Sequence, residues 1–282
     1  MSILIRGQLI PLGRQPDGDS IRFRADRPEL FLECESGKPI RPDATGAVQL
    51  RLEGIDAPEA HYAGHSQPLA GRARAALLQS VGFRRARVVG NAVAACEPSA
   101  LPATILVSAG CPYGRPISYL YPGKLRPDLA DGANVQVPAA LARQSVNHAQ
   151  LELGMAYPVF YATMPPAHIK AFQAVAVQAQ KRRRGVWFHD RTRDFWLDQQ
   201  ADLSCGGQLI FPKLFRRATD FLNSSGGRRP GLTLRQWMED SGGDNDCVRV
   251  GEADMRFADL VFERASRVGM AVPVWDVVFG VG

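Results

Sequence analysis

No stretch of the 282 residues approaches the ~18 to 20 consecutive apolar residues that a membrane-crossing helix needs, which excludes a helical membrane span. Cysteine is sparse: Cys34, Cys96, Cys111, Cys205 and Cys247 form no C-x-x-C pair and have no histidine at zinc-site spacing. Their odd number and wide separation exclude a disulfide framework and read as reduced thiols of a soluble, cytoplasmic protein. The opening Met1-Ser2-Ile3-Leu4-Ile5-Arg6 is too short an apolar run for a secretory leader. There is no internal repeat and no low-complexity tract. Lysine is scarce as well, so the net charge of +6 is carried almost wholly by arginine. A planar guanidinium matches phosphate, and this bias favours a polyanionic partner.

What is present is ordinary globular material. With 45% hydrophobic and 22% charged residues the chain has core enough to fold without covalent staples. Its length suits a domain of ~150 to 190 residues with an appendage.

Alternating apolar positions predict strands over residues 3–12, 20–25 and 47–55. In the third, Val48, Leu50 and Leu52 share one face and Gln49, Arg51 and Glu53 the other. The polar stretch 26–46 reads as a loop-rich insertion in which Leu30-Phe31-Leu32 pair as a strand. Spacing at Leu69, Ala73, Ala76, Leu77 and Val81 predicts a helix over 67–81, ended by Gly82. Strands follow at 87–90, 104–108 and 116–121, with a Pro-containing insertion at 91–101 and a tight Cys111-Pro112-Tyr113-Gly114 turn. Pro138 opens a helix to about 153, and Pro165-Pro166 another to 184. About five strands and then helices outline an α+β domain built on a small barrel, residues 1–190. Residues 191–282 read as a C-terminal α+β accessory module. Within it the pattern alternates over 210–222, loops fall at 224–231 (with Arg228-Arg229) and 241–246, and a helix is expected over 253–268.

Two motifs carry the chemistry. Asp19 lies in the turn Asp17-Gly18-Asp19-Ser20. Arg51-Leu52-Glu53-Gly54-Ile55-Asp56-Ala57-Pro58-Glu59 brings the cation Arg51 and the carboxylates Asp56 and Glu59 within nine residues. Asp19, Asp56 and the carbonyl of Ala57 form the hard-oxygen set that suits Ca²⁺. Glu59, beyond the proline, stands where a general base would serve an attacking water. Charge growing on a phosphorus calls for two cations; Arg51 is one, and Tyr113-Gly114-Arg115 supplies the other as Arg115. His61 and His65 lack the spacing that would hold zinc and read as loop residues.

These motifs occur in order with a Q-x-x-A-G-R-A-R-A-A-L-L stretch (67–78), Y-G-R, an L-G-M-A step (153–156) and Gly185-Val186-Trp187. Over residues 1–190 the chain resembles the thermonuclease family, the staphylococcal nuclease-like proteins. The resemblance implies an OB-fold five-stranded barrel with three helices and a Ca²⁺-dependent endonuclease acting on DNA and RNA. It implies products with a 3′-phosphate and a free 5′-hydroxyl. Asp19, Asp56 and Ala57 would hold the metal, Arg51, Glu59 and Arg115 would be catalytic, and Tyr113 would line the nucleotide pocket. Ser20 replaces the usual Thr, and Gly110-Cys111-Pro112 replaces the usual charged pair before Tyr113. The alternative is a nucleic-acid-binding module of the same type with weak or no catalysis, its C-terminal part contacting a protein partner.

Overall fold

The period-two patterning of the first hundred residues becomes a sheet in the computed structural model, which describes residues 1–34, 37–224, 231–240, 247–264 and 267–280. In chain order the first strands are β1 (Ser2–Leu9), β2 (Arg22–Ala25), β3 (Ala47–Gln49), β4 (Arg51–Leu52) and β5 (Ile55–Asp56). Helix α1 (Ala70–Val81) precedes β6 (Arg84–Val89), β7 (Ala92–Glu97), β8 (Leu101–Gly110), β9 (Pro116–Pro122) and β10 (Asn134–Val135). Next come α2 (Ala139–Ala142), α3 (Val146–Glu152), β11 (Tyr157–Pro158), β12 (Phe160–Tyr161), α4 (Pro166–Lys181) and α5 (Val186–His189). The remainder holds β13 (Phe195–Trp196), α6 (Pro212–Asn223), α7 (Leu234–Asp240), β14 (Cys247–Val250), β15 (Ala253–Arg256), β16 (Val261–Arg264), β17 (Arg267–Met270) and β18 (Val277–Phe279). Among the described residues no helix is long and apolar enough to cross a membrane.

The chain divides into two units: Met1–Glu53 with Arg72–Gln150, and Gly54–Gly71 with Leu151–Gly282. These cuts differ from the division at residue 190 read from composition.

The first unit is a mixed α+β body around a curled half-barrel sheet of order β3-β2-β1-β8-β9-β4, with β10 also on β1. Neighbours run antiparallel except β4, which lies parallel to β9 with Arg51 opposite Ile117. A register shift between Val107 and Ala109 bends β8 locally. Leu4, Ile5, Phe23, Ile105, Leu106 and Leu120 are fully buried and form much of its core. Asn147, on α3 and fully buried, takes a hydrogen bond from the Leu120 amide (3.0 Å). It gives two more, to the carbonyls of Glu53 and Ser118 (both 2.9 Å). One side-chain amide thus ties α3 to β9 and to the residue that follows β4.

In the second unit the core joins residues from both sides of position 190: Tyr157, Trp187, Phe211, Phe215, Phe257 and Phe279 belong to one cluster. The described residues after 190 therefore share a core with residues before it. Pro212 starts α6, whose buried Leu214, Phe215, Ala218 and Phe221 keep helical spacing; the apparent alternation over 210–222 came from charges set between them. Of the residues expected as a helix over 253–268, those at 253–256, 261–264 and 267–268 are strands instead, and Phe257–Leu260 form a 3-10 turn. There β16 and β17 pair from Val261↔Met270 to Arg264↔Arg267, so long-range pairing outweighs local helical spacing. The helix expected over 138–153 is two, because the Ser145 hydroxyl accepts from the His148 amide (3.3 Å) and restarts the turn as α3. Leu30-Phe31-Leu32 lie in a 3-10 turn, Pro28–Glu33, rather than a strand, while the insertion at 91–101 contains β7. The loops at 225–230, with Arg228-Arg229, and 241–246 lie outside the described residues.

The L-G-M-A and G-V-W steps meet at their glycines. A Cβ on Gly185 would stand 2.0 Å from the Gly154 carbonyl oxygen, and both residues have positive φ. Backbones this close leave room for nothing larger.

Replacing Asn147 by Ala should lower unfolding free energy by about 3 kcal/mol, since buried backbone groups lose their partner. Asp at this position, which cannot donate, should restore little of it; urea melts of both variants measure the loss, and a near-neutral Asn147→Ala would contradict the pinning role.

Candidate functional site

Three of the sequence-selected positions share one end of the first unit's sheet. The amide of Leu52 donates to the carbonyl of Asp19 (3.0 Å), so the Asp17–Ser20 turn lies against β4 beside Arg51. Parallel pairing of β4 with β9 sets Arg51 level with Ile117, two residues beyond Arg115. The turn is closed by a hydrogen bond from the Asp17 amide to the Ser20 carbonyl (2.9 Å). Buried Gln150 then fastens it, donating to the carbonyls of Gly18 (2.8 Å) and, in α1, Ala73 (3.2 Å).

The Tyr113–Arg115 segment is shaped by Gly114, whose φ is +72° and whose amide donates to the Cys111 carbonyl (2.7 Å). Tyr113 is 83% exposed, with the Arg115 guanidinium 5.9 Å from its ring centre. Cys111 is buried. Burial pushes its thiol up, but the amides of Tyr113 and Arg115 and the Arg115 guanidinium outweigh this and hold it below the usual thiol value.

Glu53 was placed on the polar strand face by alternation, yet it is only 8% exposed. Burial pushes its carboxyl up to about 6, with Arg51 and the Ser108 hydroxyl pulling the other way. It lies two residues from Arg51 and shares its strand end.

Asp56, Ala57 and Glu59 belong to the second unit. Asp56 ends β5, pairs in register with Tyr157 of β11 and is 1% exposed; Ala57 is buried. The residue that defines their environment is Arg216 on α6. Its Nη2 donates to Asp56 Oδ2 (2.9 Å) and its Nη1 to Asp56 Oδ1 (3.2 Å). Nη1 also donates to Glu59 Oε1. Burial works against the charge on Arg216, but Asp56 and then Glu59 outweigh it and raise its pKa well above the ordinary value.

Two more ties hold the Glu59 loop to α6 and the residues leading into it. The Glu59 amide donates to the Gln67 side-chain carbonyl (3.1 Å), and the Gln67 amide group donates to the Ile210 carbonyl (2.7 Å). The Tyr62 hydroxyl donates to Asp220, one turn along α6 from Arg216 (2.9 Å). Burial, then Asp220, push Tyr62 up to about 12, so it stays a donor. Only helical phasing of 210–222 would have signalled this: Arg216 and Asp220 are four residues apart and share a face.

Compared with models of known protein families and with curated proteins, the chain matches none.

The calcium implied by the resemblance does not fit these carboxylates. Both Asp56 oxygens and one Glu59 oxygen already face a guanidinium. An ion placed there would have to share these oxygens with the guanidinium, whose charge offsets part of the carboxylates' attraction.

The Glu53 shift has a direct consequence for stability. Its folded-state pKa, about 6, lies above the ordinary 4.5, so its contribution is fully present below pH ~4.5 and is lost as pH rises through ~6. Glu53→Gln should therefore flatten the fall in stability between pH 4.5 and 6 and stabilise the chain by about 2 kcal/mol at pH 7. Urea melts across that range decide; parallel pH profiles for both proteins would contradict the assignment.

Proposed function

We propose that this chain acts on nucleic acid, DNA or RNA, gripping the phosphodiester through Arg51 and Arg115 and hydrolysing it with help from Glu59. The observation that carries the reading is the parallel β4–β9 pair, which sets Arg51 and the Arg115 turn at one sheet end beside Asp19. Two guanidinium groups so arranged suit the equatorial oxygens of a phosphorus that gains charge as water adds. In this reaction the water oxygen bonds to phosphorus, its proton passes towards Glu59, and the bond to the 5′-oxygen breaks. That oxygen takes up a proton from the surrounding water and leaves as a hydroxyl, Glu59 returns its proton to solvent, and the phosphate stays on the 3′ side. The curled sheet with its helices would be the OB-type half-barrel of a staphylococcal nuclease-like endonuclease. Exposed Tyr113 is suited to stacking on a base, and exposed Arg84, Arg85 and Arg87 on β6 to contacting the backbone.

A second reading keeps the grip and drops the cut: a nucleic-acid-binding module whose C-terminal part meets a protein partner. What favours it is the Arg216 ion pair, because a guanidinium bonded to Glu59 weakens that carboxylate as a base.

Fluorescence anisotropy on labelled single strands, run beside a plasmid and single-strand cleavage assay, separates the two. Under hydrolysis, Glu59→Gln should cut at least 100-fold more slowly while binding within a few-fold of wild type, and Arg51→Ala with Arg115→Ala should lose both. Binding without cleavage by the wild type selects the second reading; neither binding nor cleavage sinks both.

A further inference from the structure

Asp56 and Glu59 face a cation that the chain itself provides, and the helix bringing it is not a detachable lid. Around Arg216, α6 buries Leu214, Phe215, Ala218 and Phe221 in the core cluster that also holds Tyr157, the residue paired with Asp56. The start of the helix is fixed by the Phe211 amide donating to the Thr192 hydroxyl (2.8 Å). Gln67 anchors Ile210 just before it, and Tyr62 holds Asp220 on the turn after Arg216. Moving Arg216 off the carboxylates by moving the helix would open that core. Its side chain is only 20% exposed, and its bond geometry to Asp56 is a two-pronged fork.

We propose that Arg216 is the resident cation of the Asp56–Glu59 pair, taking the place that a divalent metal would occupy and leaving the wild-type chain unable to bind Ca²⁺ through Asp56. Calcium and guanidinium are alternatives at such a pair. Two carboxylates drawn together by packing need positive charge between them, and one fork supplies it with hydrogen bonds in place of coordination. Take the guanidinium away, and the same carboxylate oxygens become hard donors of the kind that Ca²⁺ favours. The proposal rests on reading Asp56 and Glu59 as the carboxylates of the hydrolytic site.

Calorimetric titration of Ca²⁺ into the full chain, without nucleic acid, tests it. Wild type should show no saturable site below millimolar Ca²⁺. Arg216→Gln should acquire one at least ten-fold tighter, lost again when Asp56→Asn is added. Arg216→Lys, which keeps the charge, should remain as blind to Ca²⁺ as wild type. A saturable wild-type site that Asp56→Asn abolishes overturns the proposal, and so does a folded Arg216→Gln, checked by circular dichroism, with no gain. Should that variant fail to fold, the wild-type and Asp56→Asn titrations decide alone. Because nucleic acid is absent, a chain that neither binds nor cuts it would leave this result standing and sink only the hydrolytic reading.

Discussion

A single guanidinium bonded to two carboxylates organises the second unit of this protein. Arg216 reaches Asp56 and Glu59 from a helix 157 to 160 residues away in sequence. Gln67 and Tyr62 lace the same loop to the same helix. An isolated buried charge would be strongly destabilising, so each partner is tolerated only because the other is in place. The Asp56–Glu59 segment takes its form from this arrangement, and its chemistry follows: two carboxylates neutralised by a fixed fork rather than left open for a metal.

In the first unit the sheet end that carries Arg51 is held by neutral amides instead. Asn147 bonds backbone groups of Leu120, Ser118 and Glu53, while Gln150 bonds those of Gly18 and Ala73. Both side chains come from α3 and are fully buried. Side-chain amides can satisfy a donor and an acceptor at once, so they join strand ends and turns where the ladder has run out. Their effect is to hold Arg51 and the Asp19 turn against rigid backbone, as the proposed phosphate grip would require.

Much of the fold was legible where structure is local. Period-two patterning marked β1, β2, β8 and β9, and α1 ends at Gly82 as its spacing implies. Legibility failed where distant partners decide. The helix expected over 253–268 gave way to β15, a 3-10 turn and β16 because β16 needs β17, and Glu53 became buried though alternation put it with the polar residues. Ser145 split one expected helix through a cap that hydrophobic spacing does not register.

By itself the sequence determined which residues could do chemistry: the carboxylates Asp19, Asp56 and Glu59, and the arginines Arg51 and Arg115, in a spacing that marks strand ends and turns. That much is written locally, in residue type and period. Only the tertiary structure decided what those groups face. It set Arg51 level with the Arg115 turn by strand pairing, and it placed Arg216 on Asp56 and Glu59. The reason is physical: the strength and availability of a carboxylate depend on charge and solvent within a few ångströms, and chain folding alone determines which distant residue arrives there.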